Sequence, residues 1–404
     1  MPTETPLQQL WDRAVGMDHT LKIKPQCFAP LQRKRVSPVP FSRHDMFLRM
    51  ARREVGLFRN VPILVYRDHM TGDCRPLIQA ISTKFLARET SRVQVGPSHV
   101  MTRLPVREIM RRWSTHRAIV GVTDLHIRGT RVEEIIDTKA LSDFNTLICG
   151  SANLSSQEMM TLVIASPGNV TDSHSDDPDG TNHCFFGQKL WLAWDAFEGM
   201  AAGLEDVERQ DVYGQASFDM ARFLALRSSR WFLVSTGDTL FLPGNLTHKV
   251  LTLESYLGVG SFHVGLPSSL DSFTRWLHHG PLWSINDTKK ENSDLVDEAI
   301  DVNLRIAHRA RTGSEQIRRR WGYDYLHDAY RTWKRSTRSP IQRTVLAHSG
   351  FRELVEIARS GRHNNTSVST NNSFQIRSPG WVPVGRRKDI LTTQCVDGQQ
   401  DGKT

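Results

Sequence analysis

The chain has 404 residues and a formal net charge of +9, enough length to bury a full core as two or three domains or as one large β-barrel with helical additions. Apolar residues at 39% and charged residues at 24% are ordinary globular composition, and the basic excess is diluted over the whole length, so it does not by itself argue for nucleic acid or another acidic partner. Five cysteines (Cys27, Cys74, Cys149, Cys184, Cys395), odd in number and without close pairs, speak against a disulfide framework or a zinc cluster. The N-terminus lacks the apolar core of a secretory signal, and no stretch of eighteen uninterrupted apolar residues offers a membrane span. A soluble intracellular protein is expected. The short basic runs Arg33-Lys34-Arg35 and Arg386-Arg387-Lys388 do not separate cytoplasm from nucleus.

Residues 1–41 read as irregular, with Pro25, Pro30, Pro38 and Pro40. A helical pattern follows from Ser42 to Leu57, then a short strand at 62–66, a strand at 92–95, a helix opened by Pro105 and running to Trp113, and a strand at 118–122. Strand signals become dense after residue 158. Residues 159–165, 184–194, 231–235, 238–242, 249–253 and 256–264 all read as strands, separated by Gly, Pro, Asn and Asp turns. The segment 195–226 reads as a long, partly helical loop that caps one end. Many short strands with tight turns argue for a sandwich or barrel of the jelly-roll kind.

Past Pro267 the pattern becomes helical. Ser293 is a candidate N-cap, Leu295, Ala299, Val302 and Ile306 follow at helical spacing, and 314–335 and 340–359 read as two further helices. Their aromatic residues fit a helical core better than a nucleic-acid surface of arginines and stacking rings. From Arg362 onward Asn, Ser, Thr and Gly dominate, and residues 362–404 read as a disordered tail.

The chemistry concentrates at His174-Ser175-Asp176 and His248. In a strand His174 and Asp176 point the same way, and His248 arrives from a separate strand after Gly-Asp and Pro-Gly-Asn turns. Two imidazoles and one carboxylate leave up to three coordination positions open, which suits non-haem Fe(II) better than tetrahedral zinc. Taken alone, an HxD tripeptide is more often an ordinary polar turn.

The surrounding pattern resembles the jumonji C (JmjC) family of Fe(II)- and 2-oxoglutarate-dependent oxygenases, within the cupin superfamily. The matching pieces are Asn169-Val170-Thr171-x-x-His174-x-Asp176, then Gly187-Gln188-Lys189-x-Trp191, then Gly237-Asp238-Thr239-Leu240-Phe241-Leu242-Pro243 ahead of His248. Lys189 follows His174 by fifteen residues and His248 follows it by seventy-four, and both spacings fit. The resemblance implies a mainly β fold: a double-stranded β-helix (jelly-roll, or cupin) barrel over 42–267 with its motif region at 157–266, N-terminal α/β elements, and a helical C-terminal region at 268–361. It implies that His174, Asp176 and His248 hold iron, and that 2-oxoglutarate is the cosubstrate, its distal carboxylate meeting Lys189 and the Thr171 hydroxyl.

For Thr171 a structural turn hydroxyl is an equal reading, and for Lys189 the rival is an outward-facing strand residue. Asn182 and Ser261 are further candidates for the cosubstrate. His183 reads as a loop histidine outside the ligand set, and His278-His279 as surface residues. The chain departs from the family pattern at Asn245-Leu246-Thr247, where paired tryptophans are common, and at Ser261-Phe262, where Asn-Phe is common. The implied activity is a dioxygenase, either a hydroxylase or a demethylase by way of hydroxylation, acting on a protein or small-molecule substrate. The alternative is a non-catalytic JmjC-like binding or scaffold module. Family members often pair through C-terminal helices, which makes residues 268–360 the candidate homodimer interface.

Overall fold

A computed structural model describes residues 6–36, 64–67, 78–79, 81, 90–96, 101–115, 118–126, 160–175, 179–204, 218–242, 246–263 and 347–360, with single positions at 297, 300, 301, 304 and 308. All of them belong to a unit that ends at Arg362. The expected helices at 42–57 and 314–335, His278-His279 and the tail beyond 362 lie outside the described residues.

The fold is mainly β. Twelve strands are described: β1 Leu64–Arg67, β2 Thr90–Val95, β3 Met101–Pro105, β4 Val120–His126, β5 Met160–Ala165, β6 Val170–Ser175, β7 Asp179–Phe186, β8 Gln188–Asp195, β9 Arg230–Ser235, β10 Asp238–Leu242, β11 Leu246–Thr252 and β12 Tyr256–His263. They form two antiparallel sheets, one of eight strands in the order β1-β10-β7-β12-β5-β4-β2-β3 and one of four in the order β6-β11-β8-β9. Among the described residues no strand pairing joins the two sheets, so hydrogen bonding leaves them as separate layers rather than a closed barrel.

Alternation along the strands divides the core into three layers. Val163, Ala165, Cys184, Trp191, Ala193, Phe232, Val234, Leu240, Val250 and Tyr256 fill the space between the sheets. On the far side of the large sheet, helix Val106–Thr115 packs Ile109, Met110 and Trp113 against Val93, Val122, Ile164 and Val259. The Trp113 indole anchors it by donating from Nε1 to the Ala165 carbonyl at 2.9 Å. Among the described residues no helix is long and apolar enough to cross a membrane.

The third layer corrects the reading of residues 1–41 as irregular. Helices Pro6–Met17 and Phe28–Arg33 cover the outer face of the small sheet, where Trp11, Ala14, Leu21 and Leu31 pack on Leu190, Leu192, Trp194, Trp231, Leu251 and Leu253. The signal was the helical spacing of Leu7, Leu10, Trp11 and Ala14, which outweighs the downstream prolines. Trp231 Nε1 donates to Leu31 O at 2.7 Å, and Val36 N to Trp231 O at 2.8 Å, so this segment also borders β9. With both faces of the small sheet covered, every residue of β11 is buried.

A second correction concerns 184–194, read as one strand. Two strands stand there, broken at Gly187, whose φ of +92° belongs to the left-handed region. A Cβ on Gly187 would lie 1.8 Å from the Ser255 carbonyl oxygen, so only glycine lets the chain pass from the large sheet to the small one here.

Candidate active site between the sheets

The site is built on β6, β11 and β8. In β11, His248, Val250 and Thr252 share a face, and across the ladder to β8 they oppose Ala193, Trp191 and Lys189. Val250, Trp191 and Ala193 belong to the core between the sheets, so this face, with Lys189 and His248, is the interior one. On the other side of β11, His248 opposes His174 and Val250 opposes Thr171. Three positions separate Thr171 from His174, which in a regular strand would put them on opposite faces. A register shift at Lys249 matches one residue of β11 to two of β6, Asp172 and Ser173, and this bulge brings both side chains to the interior.

The two imidazoles lie with ring centroids 4.2 Å apart, tilted by 57°. His174 Nδ1 is 2.8 Å from the carbonyl oxygen of Asp172, and His248 Nδ1 is 3.2 Å from that of Leu246. A carbonyl only accepts, so in each ring Nδ1 carries a proton and donates to it. Backbone carbonyls commonly fix metal-binding histidines in this way. Trp191 stacks on His248 at 5.3 Å and on Phe232 at 6.1 Å, and holds the second ring flat against the core. Among the described residues no third His, Cys, Asp or Glu completes a metal-sized cluster, and Asp176, the expected third ligand, lies outside them.

Lys189 is 3% exposed. Its ammonium sits 4.4 Å from the centroid of the Tyr256 ring, and among the described residues no carboxylate pairs with it. Burial brings its pKa down to about 8, opposed among the described residues by Cys184. Cys184 supplies little charge, because burial pushes its thiol up to about 12, and Tyr256 is raised by burial as well. The Trp191 indole N–H is likewise buried with no acceptor among the described residues. An unpaired ammonium and an unused N–H on one interior face are costly in isolation and favour an anion or another acceptor-rich guest.

The remaining candidates divide. Thr171 is half-buried on the interior face. Asn182 is buried on β7, where its Oδ1 accepts from the Tyr256 hydroxyl. For Ser261 the backbone is placed, opposite Thr181 and Met160. His183 is not in a loop: it lies on β7, with Nδ1 2.7 Å from Thr239 Oγ1 and its ring 4.7 Å from Phe185. Phe185 packs into the layer under helix Val106–Thr115, so His183 faces away from the histidine pair.

No protein-family model matches the chain, and no curated protein matches it. The residues themselves therefore carry the functional argument.

Sequence reasoning missed Trp191, Tyr256 and Cys184 as parts of this interior. Trp191 was within reach, since it stands two residues from Lys189 and shares its face. Tyr256 belongs to a strand of the other sheet, and no local pattern announces that it lies over Lys189.

Proposed function

We propose that the chain is an Fe(II)- and 2-oxoglutarate-dependent oxygenase, hydroxylating or demethylating by way of hydroxylation a protein or small-molecule substrate. In this reading β5–β12 form a double-stranded β-helix. Strand order supports it: eight successive strands distribute as β10-β7-β12-β5 in one sheet and β6-β11-β8-β9 in the other. The observation that carries the proposal is the cross-strand pair His174–His248, each ring tied back through Nδ1 to a backbone carbonyl, on the same interior face as the Lys189 ammonium, which has no carboxylate partner among the described residues.

The donor set fits the metal. Two imidazoles with Asp176, two residues beyond His174, would make the two-histidine, one-carboxylate set that suits Fe(II). Lys189 and Thr171 would take the distal carboxylate of 2-oxoglutarate, and a dianion there removes the cost of the buried ammonium. Iron and 2-oxoglutarate, when bound, supply the oxidation of a C–H bond with oxygen; the protein's residues hold, orient and exclude water. Homodimerisation through residues 268–360 and a cytoplasmic or nuclear location belong to the same reading.

The test is succinate release from 2-oxoglutarate with Fe(II), over peptide and metabolite pools. Wild-type protein should turn over, and His174→Ala or Asp176→Ala should abolish it. A wild-type protein that neither binds 2-oxoglutarate nor converts it refutes the proposal. Binding without turnover would favour a non-catalytic module.

A further inference from the structure

Lys249 follows His248 on β11 and therefore points the opposite way, into the layer beneath the N-terminal helices. Its side chain is 4% exposed, and its ammonium lies 3.1 Å from Asp18 Oδ2 and 3.7 Å from Asp172 Oδ1. The Phe218 ring, with its centroid 5.6 Å away, closes a third side. Asp18 is also held from its other oxygen: Oδ1 accepts from Thr20 N at 3.0 Å and Thr20 Oγ1 at 2.6 Å, capping the short 3-10 turn His19–Leu21. Burial raises the Asp18 pKa, but Lys249 and the Thr20 donors outweigh it and hold the carboxyl below its ordinary range, so it is ionised. Asp172 stands in the β6 bulge, and its own carbonyl oxygen receives His174 Nδ1. One ammonium thus ties the N-terminal segment, β11 and the bulge that presents His174.

We infer that Asp18, Lys249 and Asp172 form a positioning triad for His174: the Lys249 ammonium fixes the Asp172 peptide, whose carbonyl sets the orientation and tautomer of the ring. Fold stability alone does not require this charge. Well-packed apolar residues commonly replace a buried ion pair at no loss, whereas a bulge backbone carrying a ring acceptor must stand in one place. The N-terminal segment then belongs to the scaffold of the site and is not merely its outer cover. The metal-binding part of this inference rests on the proposed function, and the tautomer part does not.

The experiment uses full-length protein in two measurements: Mn(II) affinity by electron paramagnetic resonance titration, and the imidazole nitrogen–proton correlation spectrum of the metal-free protein. Asp172→Asn and Lys249→Met are expected to weaken Mn(II) about 10- to 100-fold, the usual range for groups that orient metal ligands. They should also convert His174 from a single Nδ1–H form to a mixture. Lys249→Arg, which keeps the charge, should retain more affinity than Lys249→Met. Asp172 is 29% exposed, so Asp172→Asn tests the idea even where Lys249→Met fails to fold. Unchanged Mn(II) affinity together with an unchanged His174 tautomer in Asp172→Asn overturns the inference. A wild-type protein that binds no Mn(II) overturns the metal-centre reading, and the Asp172→Asn spectrum still decides whether the triad sets the ring.

Discussion

Replacing Lys189 by Met should make the metal-free, anion-free protein more stable at neutral pH. The two side chains have similar length, but the ammonium is 3% exposed and faces the Tyr256 ring without a counter-ion among the described residues. Burial lowers its pKa from 10.5 to about 8. At about 1.4 kcal/mol per pH unit, that fall corresponds to about 3 kcal/mol of stability withheld from the folded state. The direction follows from proton counting. Below pH 8 folded and unfolded chains both carry the proton, and the full cost is present. Between about 8 and 10.5 the unfolded chain binds more protons than the folded one, so wild-type stability rises with pH; above 10.5 both are neutral and the cost is gone. Urea denaturation of the two proteins at pH 7 and pH 10.5 reads this directly, since other titrating groups cancel in the difference. Lys189→Met should lead by about 3 kcal/mol at pH 7 and by little at pH 10.5. A Lys189→Met protein that is less stable at pH 7, or whose lead does not change with pH, refutes the argument that an uncompensated charge is stored there.

Two further expectations follow from the same strands. Gly187→Ala should destabilise by about 3 kcal/mol or more, because a left-handed backbone and a Cβ driven into the Ser255 carbonyl both oppose it; an unchanged urea midpoint would show that the β7–β8 crossing is not built as described. Cys184, its thiol raised to about 12 by burial, should resist iodoacetamide in the native protein at pH 8 and react once denatured. Peptide mass mapping checks this, and rapid native labelling of Cys184 would contradict it.

What the sequence disclosed follows physical range. β5, β9, β10 and β12 were legible because apolar alternation and tight turns are local signals. The β7–β8 break was not, because Gly187 within a long apolar run resembles an ordinary strand glycine until its contact with Ser255 is known. The N-terminal helices were misread for the opposite reason. Their apolar spacing was present, but four prolines over 25–40 dominated the composition of the segment, and the surface those helices cover is made by β8, β9 and β11, about two hundred residues away.

The site shows the same division at finer scale. His174, His248 and Lys189 stand out in the sequence by residue type and spacing, yet simple alternation puts Thr171 and His174 on opposite faces, and a site using both is impossible in a straight strand. The bulge opposite Lys249 resolves this by adding one residue to β6, and it creates a new requirement. An extra residue leaves local backbone groups outside the ladder, and such groups must find partners. Here the Asp172 carbonyl finds the His174 ring while the Asp172 carboxylate finds Lys249. The irregularity that brings the imidazole inside therefore also supplies the acceptor that fixes its proton, and the charge that steadies that acceptor comes from the next residue of the strand bearing the second histidine.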